Sequence, residues 1–259
     1  MEDIVSMDTS LQKAAEAIRR PGGLLIFTGA GISVESGIPS FRGQGGLWEQ
    51  YDPAFIEIEN FYARPEYCWA QIKKIFYDHW GAASPNPAHY AAAAMQKHGW
   101  VDTIVTQNID ALHQRAGARD VVEFHGTLDR LVCTKCRFRS APTEELLSGS
   151  VPVCPDCGAM LKPDFVFFGE GIPEAASGRA FDSAMRVSAI LVVGTSGEVM
   201  PACQLPYVVK RHGGTVIEVN PDESSFTRGG VTDIFLQGKA GEVLPKLLEA
   251  AEKGAKDPA

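Results

Sequence analysis

No stretch of this chain reaches the roughly 18 consecutive apolar residues that a membrane-spanning helix needs. Its first residues, MEDIVSMDTS, lack the basic start and apolar core of a secretory signal. The expectation is a protein that stays in the compartment where it is made, the cytoplasm, with no membrane partner. Positive charge is also in short supply: 24 Lys and Arg stand against 32 Asp and Glu, a formal net charge of −8. That balance argues against a direct nucleic-acid partner held by phosphate neutralisation. Cysteine is scarce as well. Six occur in 259 residues, and four of them fall in two C-x-x-C pairs, which suits a metal in a reducing compartment better than a secreted disulfide framework. Apolar material is plentiful: 45% of residues are hydrophobic, enough for one large domain or a large domain with a small insert.

Residues 24 to 43, LLIFTGAGISVESGIPSFRG, organise the rest. Leu24-Leu25-Ile26-Phe27 is the apolar run of a strand covered on both faces. Gly29 and Gly31 let the backbone turn sharply and approach a ligand. Ser33 is placed to cap a following helix, whose free N–H groups and positive dipole end suit a phosphate. A nucleotide pyrophosphate fits such a turn, yet the G-x-G-x-x-G dinucleotide fingerprint lacks its third glycine here, Val34 standing in its place. An acid at a strand end about 20 residues on, the usual ribose ligand, is missing too. On these residues alone a plain glycine turn is an equal reading. The continuation adds weight, because Gly37 and Pro39 stop the helix at once and leave Phe41 and Arg42 in an irregular segment that can fold over a ligand.

Along the chain, residues 9 to 20 read as a first helix, and the aromatic-rich stretch from Leu47 to Trp80 turns helical after Pro65. Most of those aromatics read as packing rather than ligand contacts. The Ser84-Pro85-Asn86-Pro87 breaker opens a helix over about 87 to 98. Strands are expected at Thr103–Gln107, Val121–Phe124, Phe165–Phe168, Ala189–Val193, Val216–Val219 and Ile234–Leu236, with helices over 174–187, 201–211 and 241–253. That rhythm implies an α/β fold, an open parallel sheet with helices on both faces, whose ligands bind outside the carboxyl ends of the strands. The strand ends carry Thr28-Gly29, Thr106-Gln107-Asn108-Ile109-Asp110, His125-Gly126, Gly194-Thr195-Ser196 and Asn220. A lone Asn or Ser there is more simply a cap, but five polar strand ends suit a sugar and phosphate ligand. A single histidine is more often structural. His125 ends a strand at the crevice, where an imidazole can exchange a proton during turnover.

Cys133-Thr134-Lys135-Cys136 and Cys154-Pro155-Asp156-Cys157 have the spacing of a four-thiolate zinc ribbon. Four thiolates close the coordination shell, so the metal, Zn2+, is expected to be structural and to hold an insert over about 129 to 163. Cys68 and Cys203 read as buried free thiols.

Taken together, Gly29-Ala30-Gly31-Ile32-Ser33, Glu35-Ser36-Gly37-Ile38-Pro39, Phe41-Arg42, Thr106 to Asp110, His125-Gly126, the two C-x-x-C pairs, Phe168-Gly169-Glu170, Gly194-Thr195-Ser196 and Asn220 resemble the sirtuins, NAD-dependent protein deacylases. The match runs in order over about 24 to 245. It implies a Rossmann-like, doubly wound NAD-binding domain over 1–44, 86–128 and 164–259. A small domain then combines a helical insert, 45–85, with the zinc ribbon, 129–163, and a cleft separates the two.

By the same resemblance, Gly29, Ala30, Gly31, Ser33, Phe41 and Arg42 would line the NAD pocket, with Gln107, Asn108, Ile109 and Asp110 around the nicotinamide and its ribose. Gly194, Thr195, Ser196, Asn220 and Ala240 would hold the adenosine half. His125 would be the general base and, with Asn108, the catalytic pair. Val166 to Gly169 and the loop Gly197 to Val199 would pair with an extended substrate peptide, and Phe41, Val166, Phe168, Gly169 and Val199 would surround the acyl-lysine. The implied reaction begins with attack of the acyl-lysine amide oxygen on C1′ of the nicotinamide ribose. His125 then draws a proton from the ribose so that its 2′ oxygen attacks the resulting imidate, water completes the reaction, and the products are lysine, nicotinamide and O-acyl-ADP-ribose.

Members that prefer succinyl- or malonyl-lysine carry a tyrosine and, three residues on, an arginine. This chain has Tyr77-Asp78-His79-Trp80, so a neutral acyl group such as acetyl is expected, and Asn60 to Glu66 resembles the bacterial and archaeal deacetylase branch. A monomer acting on acyl-lysine proteins or peptides is expected. The rival readings are an NAD-consuming ADP-ribosyltransferase or hydrolase, and a sensor that holds NAD or ADP-ribose without turnover.

Overall fold

A computed structural model describes residues 2–41, 45–78 and 83–256 of the protein. Six strands form one parallel sheet: β1 (Leu24–Thr28), β2 (Val101–Thr106), β3 (Val121–Glu123), β7 (Ala189–Val193), β8 (Thr215–Asn220) and β9 (Ile234–Gln237), in the order β3-β2-β1-β7-β8-β9. The remaining three, β4 (Gly126–Cys133), β5 (Arg139–Ser140) and β6 (Leu161–Phe165), make a separate antiparallel sheet in the order β5-β4-β6.

The parallel sheet forms because its strands alternate between two buried faces. Leu24 and Ile26 of β1 and Leu191 and Val193 of β7 enter one apolar cluster with Ala14, Ile18, Ala92, Met95, Leu244 and Leu247 from three helices. Leu25, Phe27, Ile190 and Val192 point the other way, to Ala180, Ala184, Leu205, Val209 and Phe226. Both β1 and β7 are buried along their whole length, the pattern of a sheet covered on both sides. A third cluster lies in the insert segments, where Phe55, Phe61, Trp69, Ile72 and Phe76 pack with Leu128, Leu131, Leu161, Phe165 and Phe167. The indole of Trp69 donates to the Leu161 carbonyl (3.1 Å) and ties the helical segment to the antiparallel sheet.

Three expectations are corrected. Phe165–Phe168 is no strand of the parallel sheet. Its first residue ends β6, whose partner is β4 in the register Gly126↔Phe165 and Cys133↔Leu161, and Phe168 makes an isolated parallel bridge with Glu57. The run Phe165 to Phe168 is apolar because it faces the insert cluster and the cleft, and not the sheet core. Second, no α-helix follows Gly31. Residues Ala30–Ser36 form a 3-10 helix behind Gly29, and Gly37, at φ 86°, ends it. Ser33 lies buried inside that turn and does not cap it. Third, the first helix begins at Glu2 and runs to Arg19.

The helix Pro87–Lys97 follows its breaker as expected. Asn86 caps it by accepting from the Ala88 amide (2.9 Å), while its own amide donates to Ile32 O (2.7 Å) and Ser36 Oγ (3.0 Å). One side chain thus fixes both the helix start and the glycine turn. No helix among the described residues is long and apolar enough to cross a membrane.

Candidate active site

In the strand order, connections after β1 run one way, through β2 to β3, and after β7 the other way, through β8 to β9. A crevice opens at such a reversal, at the carboxyl ends of the strands. The turns after β1 and β7 meet there. Gly31 N donates to Gly194 O (2.8 Å), and a Cβ on Gly31 would lie 2.6 Å from Gly194 Cα. Glycine at 31 is therefore required by a neighbouring turn, an approach closer than any side chain permits. The crevice is a cleft of about 610 Å³ lined from the sheet side by Gly29, Ala30, Gly31, Gln107, Asn108, Ile109, His125, Gly194, Thr195, Ser196 and Asn220. Val199, in the loop after β7, also lines it, and the opposite side is supplied by Phe41, Trp48, Ile56, Phe76, Phe165, Val166, Phe168 and Gly169.

His125 is half-buried between β3 and β4, and its Nδ1 lies 3.0 Å from the Gln107 carbonyl. A carbonyl accepts only, so Nδ1 carries the proton and Nε2 keeps the lone pair. Burial lowers its pKa, and the Gln107 bond opposes that shift only in part. The ring is thus neutral at pH 7. Gly126 at φ 77° makes the turn that holds it, and a Cβ there would sit 2.2 Å from Asp164 O.

Behind the cleft wall runs a buried polar network. Asn108 Nδ2 donates to Gly29 O and to Ser33 Oγ (both 3.1 Å), and Ser33 Oγ donates to Asp110 Oδ2 (2.7 Å). Asp110 Oδ1 accepts from the Leu112 amide (2.9 Å). Burial raises the Asp110 pKa against the lowering effect of those donors. Asn108 Oδ1 is buried and has no protein partner among the described residues. Deeper still, Thr28 Oγ1 donates to Thr106 Oγ1 (2.9 Å) and lies 3.0 Å from His113 Nε2, whose ring meets that of His89 edge-on at 5.0 Å. Burial pushes His89 down to about 4 and His113 to about 3.

The structure thus brings most of the expected residues to one cleft. Ser33 and Asp110 stand behind its wall, Ala240 is buried at the start of the helix Ala240–Lys256 away from the lining, and Arg42 lies outside the described residues. Of the acyl-selectivity segment, Tyr77 stacks on Trp69 and donates to Leu128 O (3.2 Å), so its hydroxyl is engaged away from the lining, while His79 and Trp80 fall outside the described residues. Phe168 N donates to Ile56 O (2.9 Å) and its carbonyl accepts from Ile58 N (3.0 Å), and Val166 N donates to His125 O (2.8 Å). Those main-chain groups are committed within the protein.

Sequence reasoning missed Lys162. This buried ammonium donates to Phe165 O (2.6 Å) and Pro163 O (3.1 Å), pairs with Glu170 Oε2 (2.9 Å) and sits 4.0 Å from the centre of the Phe167 ring. Glu170 in turn accepts from Phe167 N (2.8 Å). The pair braces the segment that walls the cleft.

The four paired cysteines converge. The sulfurs of Cys133, Cys136, Cys154 and Cys157 all lie within 4.8 Å of one another. The amides of Lys135 and Cys136 point at Cys133 Sγ (both 3.4 Å), an arrangement that stabilises a thiolate. An all-sulfur tetrad of this size fits zinc and leaves no open position.

Comparison with known proteins places this cleft in context. Residues 29–201 match the model of the Sir2 family. An NAD-dependent protein deacylase of Pyrococcus abyssi is 46% identical over 239 residues, covering 88% of this chain and 93% of that protein. One from Pyrococcus furiosus is 43% identical over 256 residues, 95% of this chain and 100% of that protein. Among solved structures, a Sir2 homologue in complex with NAD superposes with a TM-score of 0.85 at 40% identity, covering 93% of this chain and 94% of that one. A Sir2 with a p53 peptide and NAD+ gives 0.82 at 33% identity, covering 93% of this chain and 97% of that one.

Proposed function

Because the chain belongs to the Sir2 family, we infer that it is an NAD-dependent protein deacylase, acting on acyl-lysine in proteins or peptides. The observation that carries the site reading is His125, a half-buried, neutral imidazole on the cleft wall with Nδ1 bound to the Gln107 carbonyl and Nε2 left for a substrate proton. NAD held there would supply an electrophilic ribose carbon for the amide oxygen of acyl-lysine, with nicotinamide as the leaving group. His125 then accepts a ribose hydroxyl proton at Nε2 as general base. Asn108 offers its unpartnered buried Oδ1 to the same end of the dinucleotide, and Ser33 and Asp110 hold that amide in place from behind. A buried acceptor without a donor is costly, so a polar ligand suits this wall.

The same reading assigns Ala30, Gly31, Phe41 and Arg42 to the NAD pocket with Gln107, Ile109 and Asp110, and Gly194, Thr195, Ser196, Asn220 and Ala240 to the adenosine half. Phe41, Val166, Phe168, Gly169 and Val199 surround the acyl-lysine. With Phe168 bonded to residues 56 and 58, an extended peptide pairs through Gly169 and the loop 197–199. Zinc held by Cys133, Cys136, Cys154 and Cys157 is structural: it fixes the ribbon 129–163, which with 45–85 forms a small domain beside the NAD-binding domain. The enzyme works as a monomer in the cytoplasm, where its thiols stay reduced.

The apolar lining by Phe41, Trp48, Ile56 and Phe76 favours a neutral acyl group over an anionic one. Mass spectrometry of acetyl-lysine and succinyl-lysine peptides, with and without NAD, tests this. The expected outcome is NAD-dependent loss of acetyl, at least tenfold faster than of succinyl, with O-acetyl-ADP-ribose as co-product. NAD consumption with both peptides intact would favour hydrolysis or ADP-ribosylation, and no consumption a sensor.

A further inference from the structure

Glu218 on β8 is 0% exposed and has no cation within ion-pair distance among the described residues. Four hydrogen bonds hold it instead. Asn220 Nδ2 (2.8 Å) and Ser224 N (3.3 Å) donate to Oε1, and the hydroxyls of Thr227 (2.6 Å) and Thr232 (2.7 Å) donate to Oε2. Burial pushes its pKa up, but these donors outweigh burial and keep the group ionised. A buried carboxylate without a counter-charge is expensive, so what it orients matters. Asn220 Nδ2 also donates to Thr195 O (3.2 Å), so both amide hydrogens are used inside the protein and the amide oxygen is the end left for the cleft that Asn220 lines. By binding Ser224 N as well, Glu218 fixes the turn Pro221 to Ser224, which lines the same wall.

We propose that Glu218 is a positioning residue that makes this wall a hydrogen-bond acceptor, so that the site takes an adenosine ribose with free hydroxyls and refuses one bearing a phosphate. The inference rests on the placement of the adenosine half of NAD at Thr195, Ser196 and Asn220. A ribose hydroxyl donates to Asn220 Oδ1. A phosphate dianion has no proton to give and meets Asp222 and Glu223 on the same wall. The one cation lining that wall among the described residues, Arg228, donates to the Glu223 carbonyl and is outnumbered by those two carboxylates. Selectivity that dinucleotide folds commonly draw from an acid after the second strand is here built into β8.

The test is steady-state deacetylation with NAD and with NADP, for the wild type and for Glu218→Leu, Glu218→Gln and Asn220→Ala, with thermal melts of each. Glu218→Leu frees the Asn220 amide to rotate. KM for NAD should rise about tenfold and the preference for NAD over NADP fall about tenfold, with KM for the peptide within twofold. Glu218→Gln keeps an acceptor for Asn220 and Ser224 while the threonine hydroxyls turn to accept, so it should retain both KM and selectivity. It is isosteric and removes a buried charge, so it reports even if the leucine variant does not fold. Unchanged selectivity in Glu218→Leu, or its loss in Glu218→Gln, overturns the proposal. If Asn220→Ala leaves KM for NAD unchanged, the placement of the adenosine half is what fails.

Discussion

His125 has two ring nitrogens in unlike surroundings, and in its proposed role as general base that difference is expected to set the pH dependence of the enzyme. Its folded pKa lies below the usual 6.5 because burial disfavours the imidazolium. The base is active only when neutral, so kcat/KM should be flat near pH 7 to 8 and fall as pH drops through a midpoint under 6.5. His125→Ala should lower kcat by at least ~100-fold and abolish that acid limb. A pH–rate profile of both forms checks this, and a midpoint above 7 would contradict the geometry. His125 was legible in the sequence because it ends a strand at the crevice of a parallel sheet. Lys162 and Glu218 were not, since a charged residue within a strand reads as surface until its partners are known. Those partners, Glu170 and the Phe167 ring for one and Thr227 and Thr232 for the other, come together only through the fold.

At the level of elements, the antiparallel sheet is short and closed by sulfur. β4 and β6 bear on the insert cluster, while β5 has two residues, too few to stabilise a sheet alone. The metal is therefore expected to carry the ribbon. Cys133→Ser, or removal of zinc by a chelator, should lower the melting temperature by roughly 10 °C, as when several kcal/mol are lost in a chain of this size. Scanning calorimetry beside zinc analysis by mass spectrometry reads both quantities, and an unchanged melt in a zinc-free sample would refute the structural role. The ribbon was plain from cysteine spacing, because four ligands at fixed intervals leave little freedom. The strand Leu161–Phe165 was harder, since Lys162, Pro163 and Asp164 break any apolar pattern in it, and the apolar run Phe165–Phe168 that follows looks the same whether it enters a parallel sheet or lines a cleft. The missing third glycine of the fingerprint is explained likewise: it serves close packing of a long helix on the strand, and here a 3-10 turn ended by Gly37 replaces that helix.

For the molecule as a whole, stability should depend on pH through two buried rings. In the unfolded chain His89 and His113 titrate near 6.5, whereas folded they stay neutral down to about 4 and about 3. Their contribution is complete above pH 6.5 and is lost as pH falls toward the folded values, because the unfolded chain takes up protons that the folded one refuses. For His89 alone this amounts to roughly 3 kcal/mol at ~1.4 kcal/mol per pKa unit. Urea titrations at pH 7.5 and 5 should show the loss, and His89→Gln should flatten the slope between them. The two-faced sheet was legible because Leu24–Phe27 of β1 and the whole of β7 are apolar. That these two are neighbours was not, since nothing local in either strand names its partner. Their pairing, Leu24 with Ala189, also sets a clock on synthesis. A ribosome adding ~5–20 residues per second releases the second of these strands many seconds after the first. Until then the nascent chain holds β1 with one edge open, and the crevice between the turns after β1 and β7 has only one of its walls.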